Sequence, residues 1–260
     1  MEDVKTGKVL FIEGRHKEAA RLFLEAAREG DPEAAFDYAF CLQFGFGTEK
    51  NEREAVSFYK FAQEKIGEAS YNLAVMYMHG TGVRRDYKKS YAYMLDAARA
   101  NIIEAQLYLG VAHTMGSLFE PDIIAISLLP YHTSIGRDPS LVLSGDVPDE
   151  EADEEARISA VRQDLVTAHE WFRTAAMHDS TYVEELSQRS KYLYARCFVD
   201  GVGTDFNREL AEELMLLAAN DGSPEAYSYI AENAPYRLPE VRNTEVISEA
   251  KRILTLGSRE

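Results

Sequence analysis

The chain has 260 residues, of which 46% are hydrophobic and 28% are charged, with 8 prolines and 16 glycines. This composition is ordinary for a soluble globular protein and excludes disorder over the whole chain. Its 28 Lys and Arg against 44 Asp and Glu give a formal net charge of -16, which repels phosphate backbones and anionic lipid and so excludes nucleic acid and membranes as expected partners.

The N-terminal sequence and the cysteine count bear on the cellular location of the protein. The first residues, MEDVKTGKVLF, lack the basic and apolar regions of a secretory signal, and no apolar run approaches membrane-spanning length. Cys41 and Cys197 are too few for a disulfide framework or a CxxC metal site. We therefore expect a cytoplasmic protein in which both cysteines are small, buried helix residues.

The first part of the chain predicts helices in pairs. The unit at residues 3–30 has the short turn GRHKEAA between its two helices. Asp31 followed by Pro32 predicts the start of the next helix, because Asp caps a helix N-terminus and proline is tolerated in the first turn. The next two units are predicted at residues 33–65 and 68–101.

The unit at residues 68–101 shows the pattern most clearly. In the segment EASYNLAVMYMHG, Ala69, Leu73 and Tyr77 recur at the spacing of one helical face. Glycine at Gly80 predicts the end of this helix, because glycine adopts the left-handed backbone that closes a helix at little steric cost. A second helix then runs from about Tyr87.

Two columns of small residues establish the repeat. A GxG triplet begins at Gly45, Gly80 and Gly201, in each case 17 residues before an alanine of the second helix. Successive alanines are first 36 and then 35 residues apart, and the column is Ala26, Ala62, Ala97, Ala175 and Ala218. Such a period indicates stacked supersecondary units.

The longer step from Ala97 to Ala175 predicts a roughly 42-residue insertion, residues 117–159, in the central unit at 104–178. Its first half is apolar enough to pack against the repeats. Its second half contains DVPDEEADEEA, whose acidic composition without aromatic residues is typical of a solvated loop.

The last units follow the insertion. One is predicted at residues 188–222 with the GVG triplet at its centre. Residues 225–256 follow a second cap signal at Ser223 and are interrupted by prolines, so we expect them to cap the array.

The string running from Ala69 to Ala98, A-x-x-x-L-A-x-x-Y-x-x-G-x-G-V-x-x-x-D-x-x-x-S-x-x-Y-x-x-x-A-A, resembles the Sel1-like repeat, a relative of the tetratricopeptide repeat. The resemblance extends over nearly all of the chain outside the insertion. It implies an all-α fold, an α/α superhelical repeat solenoid with a concave face, and a scaffold or adaptor role. Some secreted members of the family carry a disulfide in every repeat, but no unit here has a second cysteine, which argues against that branch.

In such a solenoid the first helix of each unit lines the concave face. We therefore predict that a partner helix or peptide binds a row of mainly apolar and aromatic residues there. The predicted row is Phe36, Phe40, Tyr71, Val75, Met78, Leu107, Val111, Tyr192 and Arg196. The alternative is that these side chains fill the inside of a tight superhelix or lie beneath the insertion.

The sequence shows no residue pattern typical of a catalytic or metal-binding site. Its six histidines include no HxxxH or HExxH pair, so we predict no catalytic residue, no metal ligand and no cofactor. The lone Trp171 is assigned to a core column shared with Tyr59 and Met94. Two other functions stay open: a hydrolase or metal protein with a site near His113 and His132, and a structural homo-oligomer bridged by the insertion.

Overall fold

The computed structural model describes residues 2–116, 163–178 and 184–242, and every regular element within these ranges is a helix. The predicted all-α repeat fold is thereby confirmed for these ranges, whereas the insertion at 117–159 lies outside the described residues. None of the described helices has the length and apolar content needed to cross a bilayer. The helices are α1 (Glu2–Ile12), α2 (His16–Arg28), α3 (Pro32–Phe44), α4 (Glu52–Ala62), α5 (Gly67–His79), α6 (Tyr87–Arg99), α7 (Ile103–Met115), α8 (Leu165–Ala176), α9 (Glu184–Asp200), α10 (Arg208–Asn220), α11 (Pro224–Asn233) and a 3-10 helix (Pro235–Glu240).

The described residues divide into two compact units. Unit 1 contains α1 to α6 and the first turn of α7, up to Ala105. Unit 2 starts at Gln106 within α7 and contains α8 to α11 and the 3-10 helix. Consecutive helices pack on one another as hairpins within each unit, and we call the first helix of each hairpin the A helix and the second the B helix.

Capping Asp, Asn and Ser side chains fix where six of the described helices begin. The Asp31 carboxylate accepts hydrogen bonds from the backbone N–H groups of Glu33 at 2.9 Å and Ala34 at 3.1 Å, and Pro32 occupies the first turn of α3. Ser223 caps α11 in the same way, ahead of a proline, so both predicted cap signals are confirmed. The B helices α4, α6, α8 and α10 each follow a capping side chain, namely Asn51, Asp86, Asp164 and Asn207.

The two glycines of each GxG triplet have different structural roles. Gly45 and Gly80 end α3 and α5 in the left-handed conformation, with φ of 79° and 74°. The second glycine instead packs against the start of the preceding B helix. A Cβ on Gly47 would lie 2.0 Å from the carbonyl oxygen of His16, the first residue of α2, and one on Gly203 would lie 2.0 Å from that of Leu165, the first residue of α8. The triplet therefore joins one hairpin to the previous one.

Small residues on the A helices face large residues on the B helices. A Cβ on Gly110 of α7 would lie 2.5 Å from Cε1 of Phe172 on α8, and a Cβ on Gly7 of α1 would lie 2.5 Å from Cε1 of Phe23 on α2. At the same register position the other hairpins carry alanine opposite a different large residue, as in the pairs Ala39 with Tyr59, Ala74 with Met94 and Ala195 with Met215.

This size matching predicts a strong coupling between two positions of unit 2. Gly110→Ala is expected to cost roughly 1–2 kcal/mol, because overpacking against Phe172 exceeds the gain in helix propensity. The double variant Gly110→Ala/Phe172→Met, which copies the Ala74 and Met94 pair, should recover at least that loss. Urea unfolding of the two single variants and the double variant measures the coupling. Additive losses in the double variant would contradict the size matching.

Candidate partner-binding surface

Five residues of the predicted row lie in unit 1, and all five are buried. Phe36 and Phe40 on α3 and Tyr71, Val75 and Met78 on α5 are each at most 4% exposed. The structure thus places these side chains among the packed residues of unit 1 and gives a partner no open access to them. Their contact with a partner stays a prediction.

Neighbouring aromatic rings surround the two phenylalanines. The ring of Phe40 lies 6.1 Å from that of Phe11, 4.8 Å from that of Phe44 and 5.8 Å from that of Phe46, measured between centroids. Such pairs contribute about 0.5–1.5 kcal/mol each beyond the area that they bury. Phe40 therefore has a structural role in holding α1, α3 and the loop after α3 together.

A signal in the sequence indicates this burial. Ten consecutive residues of α3, Ala34 to Gln43, are buried, and so are ten of α5, Ala69 to Met78. A helix that is apolar or small on every face is a central helix, whereas a surface helix has a polar stripe. The segments PEAAFDYAFCLQF and EASYNLAVMYMH show no such stripe, which favours the alternative that these side chains fill the inside of the superhelix.

Two buried hydroxyl groups on the B helices of unit 1 donate hydrogen bonds to the A helices. The Tyr59 hydroxyl donates a hydrogen bond to Oε1 of Gln43 at 2.8 Å, and Oγ of Ser90 donates to the carbonyl oxygen of Ala74 at 2.7 Å. Burial raises the pKa of Tyr59 well above its ordinary value, so the phenol keeps its proton. These bonds fix the hairpins α3/α4 and α5/α6 in register.

Four residues of the predicted row lie in unit 2, where three of them are accessible. Leu107 is buried, whereas Val111, Tyr192 and Arg196 are half-buried. Nη1 of Arg196 donates to the Tyr192 hydroxyl at 3.2 Å, and its Nε donates to Oδ2 of Asp200 at 2.9 Å. The guanidinium is held in one orientation while 40% of the Arg196 side chain stays exposed.

A further tyrosine, on α11, extends this accessible region. Tyr229 is half-buried, and its phenol interacts electrostatically with Arg196 and Asp200 of α9. Burial raises the pKa of Tyr229 above its ordinary value. We call Tyr192, Arg196 and Tyr229 the open surface of unit 2. The sequence did not indicate Tyr229, because the irregular C-terminal unit hides its register.

Histidine, cysteine and carboxylate side chains are the residues that could bind a metal or act in catalysis. Within residues 2–116, 163–178 and 184–242 no group of three or more His, Cys, Asp or Glu side chains could hold a metal ion. His113 is buried at the end of α7, and His132 belongs to the residues outside these ranges. Burial raises the pKa of Cys197 to about 12 and that of Cys41 further, so both thiols are protonated core residues, as predicted.

The assignment of Trp171 to the core column of Tyr59 and Met94 is wrong by one residue. Phe172, which is 5% exposed and packs on Gly110, occupies that column, and Trp171 is half-buried beside it. Both are aromatic and adjacent, so residue type alone does not distinguish them. The position relative to Ala175 does, since Tyr59 and Met94 each stand three residues before their alanine.

Comparison with known proteins gives the following similarities. The family model described as "Sel1 repeat" matches residues 16–31, 32–62, 67–102, 103–125, 158–180 and 188–223. Chitin synthase regulatory factor 2 of Schizosaccharomyces pombe is 37% identical over 87 residues, which are 33% of this chain and 17% of that protein. The chain thus corresponds to less than a fifth of this curated relative.

Two solved structures are similar. The crystal structure of a Sel1 repeat protein from Oxalobacter formigenes superposes with a TM-score of 0.64 at 19% identity, covering 88% of this chain and 74% of that chain. The Escherichia coli protein c5321, described as a protective antigen displaying an SLR fold, gives a TM-score of 0.40 at 17% identity, covering 92% and 57% of the two chains. The first of these similarities supports the helical repeat fold.

Proposed function

The chain belongs to the Sel1 repeat family, and from this premise we propose that it is a scaffold that binds another protein through the open surface of unit 2. The observation that carries the proposal is a difference in burial along the A helices. The row is buried on α3 and α5 but accessible on α9 and α11, where Tyr192, Arg196 and Tyr229 lie together. Tyrosine and arginine are the residue types that contribute most to binding energy at protein interfaces.

The geometry favours a helix or an extended peptide as the occupant. Two tyrosine rings offer apolar area, worth about 25 cal/mol per Å² removed from water, and they need little ordering on binding. Arg196 keeps exposed donors while Asp200 offsets its charge. We therefore propose a partner segment with an apolar side chain and a nearby carbonyl or carboxylate acceptor.

We propose that the protein acts in the cytoplasm by binding another protein. The name of the curated relative, a regulatory factor of chitin synthase, describes an action on an enzyme, although the match covers 17% of that protein. Binding of nucleic acid or membranes is not part of the proposal, because the net charge of -16 opposes it.

Affinity capture from a cytoplasmic extract of the source cells tests this proposal. The double variant Tyr192→Ser/Arg196→Ala is expected to lose at least tenfold of the partner retained by the wild-type chain, because it removes one aromatic anchor and the oriented guanidinium. The control is Arg173→Ala/Leu217→Ser, which makes comparable changes at exposed positions of the B helices α8 and α10. Circular dichroism checks that all three proteins are folded.

Two outcomes contradict the proposal. One is equal capture by the wild-type chain and the Tyr192→Ser/Arg196→Ala variant. The other is equal loss in that variant and in the control, because a loss that does not depend on position does not come from the open surface.

A further inference from the structure

Five large apolar side chains are exposed at one end of the hairpins of unit 2. Met115 ends α7, Leu165 and Val166 begin α8, Phe206 precedes α10, and Leu210 lies in the first turn of α10. Their exposed fractions run from 38% for Leu210 to 66% for Phe206. We call these five residues the apolar end. Exposed large apolar residues grouped in this way are typical of a binding surface.

Direct contacts bring the three segments that carry these residues together. The backbone N–H of Asp164 donates to the carbonyl oxygen of His113 at 3.0 Å, which fixes the start of α8 beside the last turns of α7. A Cβ on Gly203 would lie 2.0 Å from the carbonyl oxygen of Leu165, so the loop before α10 packs against the same first turn of α8. Phe206 follows Gly203 by three residues, so the segments that carry the five residues lie at the same end of unit 2.

The repeat itself does not require apolar residues there. At three of these five register positions, counted from the capping Asn or Asp of each B helix, unit 1 carries charged side chains. Val166 corresponds to Arg53 and Lys88, Phe206 corresponds to Lys50 and Arg85, and Leu210 corresponds to Glu54 and Lys89. Val166, Phe206 and Leu210 therefore stand where unit 1 has charges, so the repeat fold does not require apolar residues at these three positions.

Three carboxylates lie on the segments that carry the apolar end. Asp164 caps α8, and Asp205 and Glu209 flank Phe206 along the chain. The nearby Arg208 pairs with Glu212 at 2.8 Å, so its charge is offset within α10. The rim is consequently acidic, which attracts basic groups and opposes a second copy of this chain, since two acidic rims would meet at such a contact.

We propose that the apolar end binds an amphipathic helix of another protein whose apolar face is flanked by Lys and Arg. Leu, Val, Met and Phe at the centre take up apolar anchors spaced three and four residues apart, and the rim carboxylates pair with the flanking cations. The residues of the apolar end differ from those of the open surface of unit 2.

A peptide-display selection tests the proposal. A library of 20-residue random peptides is selected on the wild-type chain and, in parallel, on the variant Val166→Arg/Phe206→Lys, whose new residues are those that unit 1 carries at Arg53 and Lys50. The wild-type chain is expected to enrich peptides with apolar residues at helical spacing and a net positive charge. The best of these peptides should bind the variant at least tenfold more weakly in fluorescence anisotropy.

Matched variants separate the apolar and the acidic contributions. Asp205→Asn/Glu209→Gln should weaken the same peptides severalfold and reduce the dependence of their affinity on salt. Met177→Lys, at an exposed apolar residue at the other end of α8, should leave the affinity unchanged.

Three results overturn the proposal. The first is selection of neutral or acidic peptides on the wild-type chain. The second is equal affinity of the selected peptides for the wild-type chain and for Val166→Arg/Phe206→Lys. The third is a wild-type dimer in light scattering that this variant abolishes, because a second copy would then be the occupant.

Discussion

Gly47→Ala is expected to lower the free energy of unfolding by roughly 3 kcal/mol or more. Gly47 has φ of 70°, and a Cβ there would lie 2.0 Å from the carbonyl oxygen of His16 and 2.5 Å from the backbone nitrogen of Lys17. The left-handed backbone costs an alanine about 1–2 kcal/mol. The remaining loss arises because backbone atoms at the start of α2 must move.

Gly14→Ala is the matched control, because it separates the two causes. Gly14 has a similar φ of 79°, but a Cβ there has no heavy atom within 4 Å. Its loss should therefore be limited to about 1–2 kcal/mol from backbone strain. Urea unfolding followed by circular dichroism measures both variants. Equal losses would show that Gly47 acts only through its conformation and that the contact between hairpins contributes nothing.

Glu104→Gln is expected to raise stability at pH 8 by up to about 3 kcal/mol and to leave it nearly unchanged at pH 4. Glu104 lies in the first turn of α7 and is 5% exposed. Burial raises its pKa from the usual 4.5 to about 7, and the nearby charge of Glu68 adds to the effect. The folded chain therefore binds this proton more tightly than the unfolded chain.

The sign of the pH dependence follows from that difference. The raised pKa means that wild-type stability falls as pH increases from about 4.5 through 7, and glutamine, which does not ionise, removes this part of the fall. Unfolding midpoints at pH 4, 6 and 8 test it. Glu68→Gln is the control and should keep most of the slope, because burial is the larger cause. A wild-type slope that Glu104→Gln does not change would contradict the raised pKa.

The alanine and glycine columns were enough to predict helical hairpins, because small residues at a fixed interval allow helices to approach closely. The caps at Asp31 and Ser223 and the end of α5 at Gly80 were predictable for the same reason, since each depends on residues within one or two turns. Local backbone chemistry decides them.

The sequence predicted which helix positions form the candidate binding row, but not whether the side chains at those positions are exposed. The sequence placed Phe36 and Tyr192 in one column, and the structure buries the first and leaves the second half-exposed. Exposure depends on what packs against a helix from elsewhere in the chain, which the spacing of residues within that helix does not specify. Tyr229 was missed because the final unit lacks the regular pattern that defines the columns.

The residue pattern was sufficient to predict a helical repeat, the helix boundaries at Asp31, Gly80 and Ser223, and the burial of both cysteines. Those features follow from short-range steric and capping rules that hold wherever a segment is placed. The burial of Glu104 and the packing of the second glycine of each triplet between two hairpins are seen only in the tertiary structure. The same holds for which aromatic residues stay accessible. These properties arise from desolvation and close contact between segments distant along the chain, so only the packed structure determines them.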